Sequence, residues 1–388
     1  VTLVLLVLFY LSVGIQLFYL LFIFSRTAFY SDPADRSITD PGAAIDRPAA
    51  GVSVVVCAWN EKDNLRELLP LLDRQKYPAF EVLVMDDRSN DGTQAFLENE
   101  ASNWPHVRFI RINREYEHIT PKKYALTVGI RNAQHDIVLV TDADCRPVSE
   151  DWITGMVAHL SDETKQIVLG FSPYERRPGM LNRLIRYETL YTAVQYFSLA
   201  LAGRPYMGVG RNLMYRRALF LANKGFYSHM RVMGGDDDLF MNEVATSRNT
   251  TVSLLPETFM FSKPKETFAA WRHQKRRHLS VGKHYKKSNQ VWLGLLSSSH
   301  IMTWLLGLII GVLALSDPWR PEFQLVGGLF LLRLLLFWTI VGRISYRLGH
   351  TVHWMAIPGL DIALSTYYTI MGFITLRPRR KQTRMNWR

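Results

Sequence analysis

The strongest constraint on this sequence is where its charges are missing. Val1 to Ser25 holds no charged residue, and three further apolar stretches crowd the region after Gln290. A bilayer's hydrocarbon core is about 30 Å thick and takes roughly 20 apolar residues in a helix. Thr2 to Phe24 meets that length and exceeds a signal-peptide core, and no convincing cleavage site follows it. Gln290 to Ser316 carries only His300 and reads as a second span; Phe323 to Val341 reads as a third, interrupted by Arg333. An arginine there is costly unless it snorkels or faces protein. The fourth stretch, Trp354 to Leu376, has Pro358, Gly359 and Asp361 near its start. On one side of it lie Arg343 and Arg347, and on the other a tail with six basic residues. Both flanks favour the cytoplasmic face. The expectation is therefore three spans plus an interfacial or re-entrant segment. Arg26 follows the first span, which puts the soluble region in the cytoplasm of a multi-pass protein of the cell's inner (plasma) membrane.

The 388 residues then divide into an N-terminal transmembrane helix (1–25), a linker (26–50), a soluble domain (51–287) and a C-terminal membrane region (288–388). The formal net charge is +12, which raises the question of nucleic acid. Much of the excess lies beside hydrophobic segments, in Arg272 to Lys287 and in Arg377-Pro-Arg-Arg-Lys. Basic residues there suit anionic membrane lipids, and no nucleic-acid partner is expected. The two cysteines, Cys57 and Cys145, are far apart and have no partners at metal-ligand spacing. They read as buried free thiols.

From Val52 onward short apolar runs alternate with amphipathic helices. Val52-Ser-Val-Val-Val-Cys-Ala is nearly continuous, as in a strand buried on both faces. Leucines 65, 68, 69 and 72 make a helical stripe within Asn64 to Gln75. Phe80 to Met85 is a second strand, running into Asp86-Asp87. A helix at Thr93 to Asn99, a strand at Val107 to Ile112, a helix at Lys122 to Ala133 and a strand at Ile137 to Thr141 continue the alternation. This predicts an open, mostly parallel, Rossmann-like α/β sheet, with ligands outside the carboxyl ends of its strands. Asp86, Asp87, Asp142 and Asp144 all fall at such ends. No Gly-x-Gly-x-x-Gly or Walker sequence occurs in this half, so a metal rather than a glycine loop is expected to neutralise phosphates.

The acidic clusters carry the chemistry. Asp142 and Asp144 lie on the same side of an extended segment and suit a hard cation with open positions. Aspartate is also common in turns and helix caps, and Ser89 to Gly92 is turn chemistry in its own right. Gly234-Gly-Asp236-Asp-Asp238 sets three carboxylates together, so that at least one is expected to have a raised pKa. Asp236 can serve as a general base while Asp237 and Asp238 cap the helix and position it. Gln274 to His278 sits in a cationic helix that also suits a membrane surface.

These clusters, in this order, resemble the family-two glycosyltransferases, and more closely the membrane branch with cellulose, chitin and hyaluronan synthases. The similarity covers roughly Val52 to Lys287 and implies a GT-A fold with transmembrane helices. Asn60-Glu61 resembles the turn under the nucleotide base, and Asp87 the residue contacting uracil or another base. Lys122 followed by Ala125-Leu126 matches the Lys-x-x-Ala-Leu helix start near the nucleotide. Asp142 and Asp144 match the Asp-x-Asp that binds metal, Mg2+ or Mn2+, and diphosphate. Asp236 falls where the base stands, with Gly235 where the family often has Glu. Gln274 and Arg277 match Gln-x-x-Arg-Trp, but His278 replaces the tryptophan that lies beside the acceptor sugar in the synthases.

The resemblance implies an inverting transfer of a hexosyl type, in which Asp236 deprotonates an acceptor hydroxyl and Arg277 steadies the departing phosphates. A processive synthase is the first rival. Three or four spans give little material for a polymer channel unless chains associate into an oligomer. A nucleotidyltransferase lacks its Gly-rich loop here, and a non-catalytic nucleotide-sugar sensor has no need of a base. The aromatic helix Met180 to Leu199 is either a core helix or a membrane-side entry for a lipid-linked acceptor. Gly208-Val-Gly210-Arg-Asn212 resembles an acceptor-side loop, which makes Arg211 and His278 the expected determinants of acceptor choice.

Overall fold

The computed structural model describes residues 2–34, 50–114 and 119–376. Its elements, in chain order, are α1 (Thr2–Ala28), β1 (Val52–Ala58), α2 (Lys62–Asp73), β2 (Phe80–Asp87), α3 (Thr93–Glu100), β3 (Val107–Ile112) and α4 (Pro121–Asn132). β4 (Ile137–Asp142), β5 (Cys145–Pro147), α5 (Trp152–Ala158), β6 (Ile167–Leu169), α6 (Met180–Leu201), β7 (Leu213–Arg216) and α7 (Arg217–Ala222) follow. The chain continues with α8 (Asp238–Val244), β8 (Thr250–Val252), β9 (Met260–Ser262), α9 (Phe268–Leu279), α10 (Lys287–Ala314), α11 (Pro321–Arg347) and α12 (Ile357–Leu376). These elements form two compact units.

The sheet unit spans Ser31–Arg177 and Gly203–Glu266. Its seven strands run in the order β3-β2-β1-β4-β7-β6-β8. β1 pairs in parallel with β2 and β4, β2 with β3, and β6 with β8, whereas β7 is antiparallel to both β4 and β6. This is the mostly parallel sheet that the alternation predicts, of the GT-A type that the resemblance implies. Every residue of β1 is buried, which explains its run of β-branched residues without polar alternation. Leu65, Leu68, Leu69 and Leu72 of α2 are fully buried in the same core. Helix α4 lies so close to the sheet that a Cβ at Gly129 would meet Val55 Cγ1 at 2.8 Å. Because the chain leaves β1 toward β2 on one side and reaches β4 on the other, the topological switch point falls at the carboxyl ends of β1 and β4, where such sheets bind ligands.

The other unit gathers α1, α6 and the helices from α9 onward. Three of its helices, Thr2–Ala28, Lys287–Ala314 and Pro321–Arg347, are long and apolar enough to cross a membrane. Helix α6 packs among them: Thr27 Oγ1 bonds Ser198 Oγ at 2.7 Å, and the Tyr191 ring meets Phe24, His300, Phe337 and Tyr368. The cost of Arg333 is met by protein. Arg333 is fully buried and ion-paired with Asp361 of α12. It also donates to Gln16 Oε1 at 3.1 Å and lies 3.2 Å from His300 Nδ1. One guanidinium thereby ties α1, α10, α11 and α12 together.

Candidate functional site

Two turns at the carboxyl ends of β1 and β2 are stitched to each other. Asn60 adopts φ 58°. Its Oδ1 accepts from Asn90 N at 2.8 Å, and its own N–H donates to Ser89 Oγ at 2.9 Å. Glu61 N donates to Thr93 Oγ1, and Lys62 N to Asp91 Oδ2. Turn chemistry therefore governs Ser89 to Thr93. Just before it, buried Asp86 and Asp87 are held by cations: Arg111 lies 2.7 Å from Asp86 Oδ2, and Arg88 reaches Asp87 through Nε and Nη2 at 2.7 and 3.1 Å.

The centre of the site is Lys122, in the first turn of α4. Its Nζ lies 2.9 Å from Asp142 Oδ1 and 3.0 Å from Asp236 Oδ2. The fold thus brings the end of β4 and the turn before α8 onto one ammonium. Burial opposes its charge, but Asp142, Asp236 and Asp237 together hold the Lys122 pKa well above the usual lysine range. Burial also opposes the Asp236 carboxylate. The charge and hydrogen bond of Lys122 outweigh it and hold Asp236 below the usual carboxylate range. Asp237 is the member pushed up, by burial and by the charge of Asp236. Its Oδ2 accepts from Gly210 N at 2.8 Å, and its Oδ1 from Asp238 N at 2.8 Å as the N-cap of α8. Asp238 is buried, with Oδ1 2.8 Å from Leu239 N.

The strand ends at Asp142, and Ala143 and Asp144 form a turn rather than continuing it. The alternation survives this, for Ala143 is buried while Asp142 and Asp144 on either side are partly exposed. Burial and the neighbouring Asp142 charge raise the Asp144 pKa, against the pull of Arg211. Among the described residues no cluster of three Asp, Glu, His or Cys side chains could hold a metal. A pair of carboxylates still fits Mg2+ or Mn2+ where the remaining positions go to diphosphate and water. Arg211 lies beside this pair. Thr141 Oγ1 donates to its carbonyl at 2.9 Å, its guanidinium sits 4.4 Å over the Tyr174 ring, and its buried Nη1 has no hydrogen-bond partner.

A sequence profile bears on part of this site. The profile for glycosyl transferase family 2 matches residues 53–221. The chain carries a glycosyl transferase family 2 domain. Hyaluronan synthase from Streptococcus pyogenes serotype M1 is 23% identical over 339 residues, 84% of this chain and 79% of that protein. An undecaprenyl-phosphate 4-deoxy-4-formamido-L-arabinose transferase from Klebsiella pneumoniae is 31% identical over 154 residues, 37% of this chain and 45% of that protein. Among solved structures, a mannosyltransferase from Pyrobaculum calidifontis, in complex with GDP-Man and Mn2+, matches with TM-score 0.56 and 19% identity. That match covers 94% of this chain and 97% of the other, and it supports the fold.

Asn60, Glu61, Asp87, Lys122, Asp142, Asp144 and Arg211 lie inside the span matched to the glycosyltransferase profile, and Asp236 to Asp238 lie beyond it. Gln274, Arg277 and His278 belong to α9 of the helical unit. That helix buries Trp271, is N-capped by Thr267, and ion-pairs Lys275 with Glu188 of α6. Sequence reasoning passed over Lys123. The signal was present, since Lys123, Leu126 and Ile130 share the buried stripe of α4, where an ammonium needs internal partners.

Proposed function

We propose that this chain is a metal-assisted, inverting glycosyltransferase that moves a hexosyl group from a nucleotide-sugar, such as a UDP-sugar, to a lipid-linked or membrane-proximal glycan. The observation that carries the reading is the meeting of Asp142 and Asp236 on Lys122. A donor-side carboxylate and a candidate base less than two hydrogen bonds apart are what in-line displacement at an anomeric carbon needs. Asp236, held ionised, takes the proton of the acceptor hydroxyl. Asp237 and Asp238 fix the turn that carries it. Asn60, Glu61 and Asp87 line the nucleoside side. Asp142 and Asp144 would hold Mg2+ or Mn2+, whose charge would stabilise the leaving nucleotide diphosphate. Arg211 offers its partnerless Nη1 to a phosphate or sugar oxygen. The domain at 51–287 faces the cytoplasm, where nucleotide-sugars are available, and the basic flanks rest on anionic lipid.

The likeness to a hyaluronan synthase over 84% of the chain favours a second reading, processive elongation by the same residues. One experiment addresses both. The protein in mild detergent is screened against nucleotide-sugars with Mg2+ or Mn2+, comparing wild type with Asp236→Asn. One donor turned over, with turnover abolished in the variant, supports the transferase, and product length separates single transfer from elongation. Nucleotide binding without turnover by any acceptor points to a sensor, and no nucleotide binding refutes the assignment.

A further inference from the structure

Lys123 is completely buried, a costly place for an ammonium unless its donors are met. Its Nζ lies 2.7 Å from His229 O, 3.0 Å from Val232 O and 3.1 Å from His229 Nδ1. Three acceptors thus face its three N–H groups. This arrangement puts the His229 proton on Nε2, which faces Glu243 Oε2 at 3.9 Å. Thr120, the N-cap residue of α4, holds the same stretch: its N–H and Oγ1 donate to Met230 O at 3.1 and 2.9 Å, and Oγ1 also lies 3.1 Å from Val232 O.

The clamped stretch leads directly to the acidic turn. Gly234 and Gly235 follow with φ of 79° and 80°, and Asp236 comes next. Consecutive glycines in the left-handed region leave the chain little stiffness of its own. On its C-terminal side the turn is held by Asp237, which accepts from Gly210 N; on its N-terminal side the position of Asp236 depends on where Val232 is fixed, with the bond from Lys122 between them.

We propose that Lys123 is a positioning residue for the transfer reaction: by fixing the carbonyls of His229 and Val232 it sets Asp236 against Lys122 and Asp142. Adjacent lysines on one helix thereby divide the work. Lys122 touches the reacting carboxylates, and Lys123 holds the loop that delivers one of them. The inference rests on the glycosyltransferase reading above. Burial brings the Lys123 pKa down to about 8, against the pull of Asp236, Asp238, Asp237 and Glu243. With the His229 ring, these are the titratable groups facing it. Above that pH the neutral amine keeps two N–H groups for three acceptors, and the clamp weakens.

The test compares wild type, K123M and K123R in detergent, measuring donor-nucleotide affinity by calorimetry and kcat and KM from pH 6 to 9.5. K123M is expected to bind nucleotide within about twofold of wild type while kcat falls about 100-fold, the scale of a small misplacement of a reacting group. Wild type should lose kcat as pH rises through about 8 with nucleotide affinity unchanged. K123R, which stays charged, should recover most of kcat and carry the alkaline limb to higher pH. Wild-type turnover by nucleotide-competent K123M overturns the proposal, and so does an alkaline limb that K123R leaves in place. If K123M fails to fold, the wild-type and K123R profiles decide. If wild type neither binds nor transfers, the glycosyltransferase reading fails and this inference falls with it.

Discussion

Replacing Lys122 with methionine removes one ammonium from between two carboxylates and should move two affinities in opposite directions. At about 3 Å and an effective dielectric of 20, each contact has a Coulomb energy on the order of 5 kcal/mol. Desolvation offsets most of it, leaving about 1.5–3 kcal/mol net for a charged hydrogen bond. The Asp142 side chain is 29% exposed and that of Asp236 11%. Solvent screening therefore brings the Asp142 contact to about 1–1.5 kcal/mol. A divalent cation entering at Asp142 and Asp144 competes with that contact. Lys122→Met should accordingly bind Mn2+ alone about tenfold more tightly, since 1.4 kcal/mol is a factor of ten. It should bind nucleotide diphosphate with Mn2+ more weakly, because the cation that the resemblance sets near the nucleotide is lost. Calorimetric or paramagnetic-resonance titration of Mn2+, with and without nucleotide, reads both. Unchanged Mn2+ affinity in the variant would refute the placement of metal at this pair. Parallel loss of both affinities would mean that the site had collapsed.

Three further outcomes follow from the same geometry. Asp236→Asn should lower kcat by 10³-fold or more while leaving donor affinity within a few-fold, in the range of losing a general base. Because Lys122 depresses the Asp236 pKa, the acid limb of kcat should lie below the usual carboxylate range and rise in Lys122→Met; the stability that Asp236 contributes is likewise present above about pH 4 and lost as pH falls through its lower folded value. Gly235→Ala should cost about 2–4 kcal/mol from left-handed strain and overpacking, since its Cβ would meet Leu239 Cδ1 at 2.6 Å; thermal melting and kcat should both report it. In the helical unit, Asp361→Leu and Arg333→Leu should each destabilise by about 3–5 kcal/mol, because each leaves the other charge of the pair buried without its counter-ion; the double variant should be milder than either single one, and additive losses in a detergent unfolding cycle would refute the pairing.

The legible part of this protein is the part where each residue states its need alone. β1 and β2 are buried along their whole length and show it as uninterrupted apolar runs, and leucines at helical spacing mark α2. The antiparallel half is silent because β6, β7 and β8 have three or four residues each, too few for a period to emerge. Individual candidate residues likewise stood out at strand ends, whereas their pairing did not. Lys122 meets Asp142 and Asp236, 20 and 114 positions away in sequence, because α4 leads into β4 while the turn before α8 approaches from the antiparallel side. Arg333 announced a cost, and Asp361 stood in the next apolar stretch, but nothing in either segment says that the two face each other across α11 and α12. Gly235 is the clearest case. As a letter it is a departure from the acidic residue that the resemblance leads one to expect. In place it has φ 80° and a Leu239 side chain where its Cβ would be. The same absence of a side chain that looked like a lost carboxylate is what lets the chain turn sharply enough to bring Asp236 to Lys122.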